Sequence, residues 1–374
     1  MLNRIEVLLD RARSPVFCYD RTRYFLDALE RYSDARFRYR PLSAEFMAPL
    51  RAMNVRGAHG VWERIGRLTE DNLQLSEASN HIGQFHFVFD DVTVNVAIDT
   101  ADGRSLHDQS ILDWSDVYFK CNYWPDLSYP DKVLPLINAN GTLSPAKVRH
   151  LRGLRGHRKD YDLIYWSRIW ASPGSVADNN GVEHNIRMFE TLAKAPGNNN
   201  LLAVFPNDLT DNSLDCYRKR LDVAGVRWQN GWGPIKSADL WNSLAAARLN
   251  FLRPGNHLCV SWRMMDLLCM GAGIIVDGAP YAEWPEPLRD QINFIDGGCT
   301  LDPDYNLPED STYDRLLERV AAAVENPDLI NSLSTNNAEY FDQYAAMPKL
   351  AGYIINAVAE RCTKVSVSSS LIAV

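Results

Sequence analysis

Residues 261–277 read SWRMMDLLCMGAGIIVD, and every position from Met264 to Val276 is apolar or glycine except Asp266. Arg263 precedes that aspartate by three residues, one turn of a helix. A helix opening near Ser261 presents unpaired N–H groups and a positive partial charge, so it attracts anions and disfavours an arginine in its first turn. Arg263 therefore needs an anionic partner. Two readings are open: an internal ion pair with Asp266, or a ligand phosphate on Arg263 with Asp266 accepting a hydrogen bond from a sugar hydroxyl. Gly271 and Gly273 are expected to end the helix and let the next strand approach closely.

The flanking elements must bring these groups to one place. Residues 249–254 (LNFLRP) read as a strand feeding the loop RPGNHLCV, and 273–277 (GIIVD) as the next strand. Upstream, 161–167 and 200–206 are strand-like, 226–228 is a short strand, and 182–195, 211–225 and 237–248 are helical. Strands alternating with helices at this spacing predict βαβ units and a parallel Rossmann-like sheet over about 160–330. Such sheets bind ligands outside the carboxyl ends of their strands, which puts Arg253, Gly255, Asn256, His257 and Ser261 at a binding edge. Helices are expected over 311–326, with Ser311 and Asp314 as a capping pair, and over 327–346 and 349–362. The stripe Leu350, Tyr353, Ile354 and Ala357 predicts that the last helix packs on residues before 150.

The first third gives fewer signals. Residues 23–32 and 43–53 look helical; 84–99 reads as strands with a turn at Asp90-Asp91, and 113–124 ends in another strand. Residues 138–160 are polar and basic, either a solvated interdomain connector or a rim for an anionic substrate. The expected organisation is an N-terminal domain over 1–150, a second over 151–346, and a C-terminal helix and tail over 347–374 that cross back to the first.

The chain has 374 residues, 46% hydrophobic and 23% charged, with a net charge of -8. It is an ordinary globular composition whose acidity argues against a general nucleic-acid surface. No apolar run is long enough to span a membrane, and Asp10 and Arg11 interrupt what a signal peptide needs. The seven cysteines are scattered without a C-x-x-C pair, as suits reduced thiols and a cytoplasmic location. There is no P-loop, nucleophile elbow, H-E-x-x-H or G-x-G-x-x-G.

Around the 261–277 segment the chain resembles GT-B glycosyltransferases, most closely the exostosin-like and spore-coat-type families. The matching residues are Arg253, Pro254, Gly255, Ser261, Arg263, Asp266, Gly271 and Val276. Two departures stand out: Asp266 replaces the usual glutamate, and Gly273-Ile274 falls where those families carry proline. The likeness follows element order over about 160–345. The short DVYFK (116–120) also resembles a segment of their N-terminal domains.

The resemblance implies an α/β GT-B fold, two Rossmann-like domains facing a central cleft, and a hexosyl- or pentosyltransferase of the Leloir type. The second domain would bind a nucleotide diphosphate sugar, UDP being the expected nucleotide, through Arg168, Arg253, Gly255, Asn256, His257, Ser261, Arg263 and Asp266. The loop 167–185 would approach the diphosphate, with Gly174 and Gly181 permitting close backbone approach, and Trp228 or Trp232 could stack on the base. An inverting enzyme would take a base from Asp99, Asp102 or His107, although polar loop residues are commonly only exposed. The D-x-D triplets Asp160/Asp162 and Asp302/Asp304 resemble metal-holding pairs of the other main glycosyltransferase fold, but chance spacing explains them as well. No metal and no cofactor are expected, the nucleotide sugar being a co-substrate and arginines offsetting its charge. The acceptor is open: a glycan, a small molecule, or a hydroxylated DNA base reached through the basic first 67 residues. The rival of another class is a non-catalytic nucleotide or sugar sensor.

Overall fold

The computed structural model describes residues 1–8, 15–39, 81–90, 92–106, 108–139, 143–169, 176–206, 215–228 and 237–372. The expected helix at 43–53, the residues His107, Gly174 and Trp232, and the side chain of Trp228 lie outside the described residues. The chain divides into two compact units. One comprises Met1–Lys147, Ala282–Glu286 and Tyr344–Val374; the other comprises Val148–Tyr281 and Pro287–Gln343.

The first unit is built on strands β1 (Leu2–Val7), β2 (Arg36–Tyr39), β3 (Ile82–Phe89), β4 (Val92–Asp99), β5 (Val117–Lys120) and β6 (Val133–Pro135), in the sheet order β2-β1-β3-β4-β5-β6. This sheet is mixed: β3 runs antiparallel to both β1 and β4, and the other pairs are parallel. The reversal is a tight hairpin in which Phe89 pairs with Val92 and Asp90 takes the left-handed φ of 43° that such turns require. Helix α1 (Pro15–Tyr32) and helix α2 (Gln109–Trp114) belong to the same unit. Asp108 caps α2 by accepting from the Ile111 N–H at 3.1 Å.

The second unit is an all-parallel sheet. Its strands are β7 (Tyr161–Ile169), β8 (Asn200–Pro206), β9 (Arg227–Trp228), β10 (Ala247–Leu252), β11 (Ile274–Val276) and β12 (Ile295–Asp296), in the order β9-β8-β7-β10-β11-β12. Counted within the unit this is 3-2-1-4-5-6, the doubly wound Rossmann order, whose direction of winding reverses between β7 and β10. Helices α3 (Pro145–Gly153), α4 (Val176–Leu192), α5 (Asp215–Val223), α6 (Ser237–Ala245), α7 (Arg263–Met270), α8 (Asp310–Val324) and α9 (Pro327–Tyr340) follow in chain order. Sheets covered on both faces need continuous apolar strands, and Leu163, Ile164, Tyr165 and Trp166 of β7 are all buried. Tyr165 stacks against Phe189 of α4 at 4.5 Å and edge-on against Phe251 of β10 at 5.0 Å, joining helix layer to sheet.

Several sequence expectations change. The basic stretch 138–160 is no solvated connector throughout: it contains α3, and four of its cations have partners within the second unit. Arg152 and Arg155 both pair with Asp342, at 2.6 and 2.7 Å. Arg155 also donates to the Cys269 carbonyl at 2.9 Å, capping the C-terminal end of α7. Lys159 donates to the Ala245 carbonyl at 2.8 Å, and Arg158 pairs with Asp160 at 2.8 Å. Helix α8 starts earlier than the expected Ser311/Asp314 capping pair, with Glu309 at its N-cap and no side-chain cap bond.

The last helix, α10 (Met347–Ile372), lies in the first unit, against α1, β4 and β5. Tyr353 donates to the Pro135 carbonyl at 2.8 Å and meets Phe119 edge-on at 6.0 Å, while Leu350 and Ile354 are buried. No described helix is long and apolar enough to cross a membrane.

Candidate functional site

The carboxyl ends of β7 and β10 flank the point where the second sheet reverses its winding, and three arginines gather there. Arg168 lies in the last turn of strand β7 and is exposed. Arg253 is the residue immediately after β10. Arg263 opens α7, and its guanidinium Nη1 donates to the Trp166 carbonyl near the end of β7.

Arg263 does not pair with Asp266. Its guanidinium bonds to a carbonyl instead, while the charge of Asp266 acts on it from one turn farther along α7. Burial, opposed by Tyr165 and Asp266, holds the Arg263 pKa below its ordinary value, and the like charge of Arg168 adds to that lowering. Two neighbouring cations, one half-buried, make this strand end electropositive, and an anion there would relieve both. The backbone N–H of Arg263 points to the Ser261 hydroxyl at 3.4 Å, and the helix N-cap is Trp262, which supplies no side-chain bond. The next N–H, that of Met264, donates to the Ser261 carbonyl at 2.8 Å, so Ser261 serves the start of α7 with both of its oxygens.

The glycines around α7 do what the sequence requires of them. Gly271 ends the helix in the left-handed region at φ 61°, and a Cβ on Gly273 would stand 2.5 Å from the Arg248 carbonyl oxygen. Only glycine lets β11 lie that close to β10.

Between β10 and α7, Gly255 turns the chain so that its N–H bonds to the Cys259 carbonyl at 2.9 Å. Asn256, His257 and Leu258 form one 3-10 turn, with His257 and Leu258 at φ 61° and 56°. Non-glycine residues in this region cost about 1 kcal/mol each, and such strain gathers at ligand-binding loops. The His257 ring is exposed and its Nδ1 lies 3.4 Å from the Tyr305 hydroxyl, while Asn180 of α4 donates to the Tyr305 carbonyl at 2.9 Å. Tyr305 is itself at φ 65°.

Residues that sequence reasoning missed fix both strand ends. Asn185 of α4 is buried; it accepts from the Tyr165 hydroxyl at 2.6 Å and donates to the Ser167 Oγ at 2.9 Å and the Arg168 carbonyl at 3.4 Å. Its neighbour His184 reaches Asp277, one residue beyond β11, with Nε2 3.3 Å from Oδ2. The same Oδ2 accepts from Arg253 Nε at 3.3 Å. The available signal was a polar pair, His184-Asn185, inside an otherwise amphipathic helix and on its buried side.

Three of the four D-x-D carboxylates have partners within the second unit. Asp162 pairs with Arg248 at 3.3 Å and accepts from the Asn198 N–H at 2.9 Å, and Asp160 is taken by Arg158. Asp302 caps its own loop, accepting from the Asp304 and Asn306 N–H groups at 2.9 and 2.8 Å. No cluster of three metal-ligating side chains occurs among the described residues.

In the first unit, Asp99 and Lys120 end the parallel neighbours β4 and β5 and pair in register. Both are fully buried, with Lys120 Nζ 3.0 Å from Asp99 Oδ2. The Tyr118 hydroxyl donates to the same oxygen at 2.8 Å, and the Ala101 N–H donates to Oδ1 at 2.8 Å. Asp99 is therefore enclosed, both oxygens occupied, at the end of the strand that the sequence reading also ends at residue 99. Asp102 is half-buried at the start of the following loop, its carbonyl accepting from Asn122 Nδ2.

No family model matches the chain, and no curated protein matches it. Among solved structures it is similar to Anabaena HepE in complex with UDP and glucose, at 11% identity and a TM-score of 0.45, over 96% of this chain and 100% of that one. It is similar to S. aureus TarM in complex with UDP, at 8% identity and a TM-score of 0.42, over 92% and 96%. A glycosyltransferase from Rickettsia africae matches at 9% identity and a TM-score of 0.42, over 90% and 87%. Likenesses this distant carry no argument about the chemistry of this chain. What the chain's own topology establishes is a mixed α/β protein whose second unit is a parallel Rossmann-order sheet with three arginines at its winding reversal.

Proposed function

We propose that the protein is a glycosyltransferase of GT-B architecture whose second unit binds a nucleotide diphosphate sugar at the β7/β10 strand ends. The observation that carries this reading is the convergence of Arg168, Arg253 and Arg263, with the N-terminus of α7, at the switch point of a Rossmann-order sheet. Open parallel sheets take nucleotides at that point. As the glycosidic bond breaks, negative charge grows on the leaving diphosphate, and preorganised guanidinium groups and helix N–H groups stabilise it most at that moment. Arginine serves this without a metal ion, so the reaction is read as metal-independent. Gly255 and Ser261 bring backbone close to the ligand, Asn256 and His257 border it, and Asp266 accepts from the ribose or sugar. UDP is the nucleotide to test first.

The first unit would hold the acceptor. If the enzyme inverts, Asp99, Asp102 or His107 is the candidate base; Asp99 ends β4 and Asp102 opens the loop that leaves it. Incubation with a panel of UDP-, GDP-, ADP- and dTDP-sugars tests the reading. A transferase releases nucleoside diphosphate slowly even without acceptor. Tight binding of a nucleotide sugar with no turnover under any acceptor would instead make the protein a sensor, and binding of none would end the donor-site reading.

A further inference from the structure

Arg253 and Asp277 each stand one residue past the ends of neighbouring parallel strands. Leu252 pairs with Val276 in register, so the next residue on each strand falls side by side. The contact is specific: Arg253 gives its Nε–H to Asp277 Oδ2 at 3.3 Å and one Nη1 hydrogen to the Gly181 carbonyl at 3.5 Å. A guanidinium has five N–H donors, so about three are left that no described residue takes. The side chain is 15% exposed while Asp277 is fully buried, so Arg253 reaches the surface from a buried anchor.

The anchor is itself held. Asp277 Oδ1 accepts from the Gly278 N–H at 2.8 Å, and Oδ2 also receives His184 Nε2 at 3.3 Å. The other ring nitrogen, Nδ1, lies 2.7 Å from the Tyr313 hydroxyl. The Asp277 carboxylate can only accept, so Nε2 is the ring nitrogen that donates, and Nδ1 accepts from the Tyr313 hydroxyl. The single ring proton then sits on Nε2 and points at Asp277. Burial, with Arg253 adding to it, holds the His184 pKa down at about 4, so the imidazole is neutral and leaves Arg253 as the cationic partner of the carboxylate. A charged histidine would compete for Oδ2 and repel the arginine.

We propose that Asp277 is a positioning residue for Arg253, fixing its Nε edge so that the remaining guanidinium donors meet a phosphate of the bound nucleoside diphosphate, and that His184 and Tyr313 hold Asp277 in turn. This rests on the donor-site reading above. A buried chain of this kind could otherwise serve stability alone, and the two roles separate in ligand affinity.

The test is a double-mutant cycle on the full chain: wild type, Arg253→Ala, Asp277→Asn and the double variant, each titrated calorimetrically after folding is verified by melting. The probe is whichever of UDP, GDP, ADP and dTDP binds the wild type most tightly, with its parent nucleoside as the control. Asp277→Asn is expected to weaken the diphosphate about tenfold and Arg253→Ala about tenfold to a hundredfold, the range of a charge-assisted bond. The double variant is expected to bind no worse than Arg253→Ala within about twofold, with the nucleoside changed less than about twofold throughout. Wild-type diphosphate affinity in folded Asp277→Asn, losses that multiply in the double variant, or an equal loss for the nucleoside would each overturn the proposal. If Asp277→Asn melts too early to titrate, His184→Leu replaces it: weaker diphosphate binding with unchanged nucleoside binding supports the role, and unchanged diphosphate binding overturns it. If the wild type binds none of the four diphosphates, the donor-site reading fails before any variant is compared.

Discussion

Replacing Lys120 by methionine tests the physical account of the first unit. The ammonium lies 3.0 Å from Asp99 Oδ2 with both side chains fully buried. At that separation and an effective dielectric of about 20, the attraction is about 5 kcal/mol, set against the desolvation of both ions. Methionine fills the same volume but leaves a buried carboxylate whose remaining donors are the Tyr118 hydroxyl and the Ala101 N–H, both at 2.8 Å. Removing one partner of a buried pair typically costs about 3–5 kcal/mol, a large part of a domain's total stability. Because the chain has two units, the readout must be local. Hydrogen exchange of amides in 92–99 and 117–120 should accelerate by roughly two to three orders of magnitude, with β7 and β10 unaffected. The double variant Lys120→Met/Asp99→Leu should recover most of the loss, since it removes the orphaned charge. A single-variant loss under about 1 kcal/mol, or a double variant worse than the single, would refute the reasoning.

The depressed His184 pKa has a definite pH signature. The unfolded imidazole titrates near 6.5 and the folded one at about 4, because burial, the neighbouring Arg253 and the more distant Arg187 outweigh the bond to Asp277, with Tyr313 on the other ring nitrogen. The unfolded chain binds the extra proton, so this stability is complete above about pH 6.5 and is lost as pH falls toward 4, about 3 kcal/mol in all. Melting curves of wild type and His184→Leu should converge over that window; parallel curves would count against the buried neutral imidazole. Glycosyl transfer should survive chelation, and complete loss with EDTA restored by manganese or magnesium would bring back Asp160/Asp162 or Asp302/Asp304 as a metal site.

The second unit was largely legible because its signals are local. Continuous apolar strands such as 163–166 and a glycine-terminated helix at 263–270 announce themselves in one dimension, and their alternation implies the parallel sheet. The strand order, and with it the meeting of Arg168 and Arg253 at one edge, follows from pairing that no local pattern encodes. The same holds for α4, where His184 and Asn185 read as helix-face residues until the sheet beneath them supplies Asp277 and Tyr165 as partners. The surroundings of Asp99 were hidden for a related reason: its partner Lys120 stands on the neighbouring strand, twenty-one residues away. The cations of 152–159 looked solvated because their partners, Asp342 and the Cys269 and Ala245 carbonyls, are distant in sequence.

The central claim is that Arg263, at the end of β7 and the start of α7, holds the diphosphate of a nucleotide donor. Calorimetric titration of Arg263→Ala with the best-binding nucleoside diphosphate tests it most directly, with Arg263→Lys and Asp266→Asn alongside. The account predicts a roughly tenfold to hundredfold loss of affinity in folded Arg263→Ala, with only part recovered by lysine, which keeps the charge but lacks the planar fork. The Arg263 guanidinium bonds to the Trp166 carbonyl, so Asp266→Asn should not reproduce the full melting defect, if any, of Arg263→Ala. If Arg263→Ala and Asp266→Asn both melt early while the folded protein binds nucleoside diphosphate as the wild type does, Arg263 is structural and the donor site lies elsewhere.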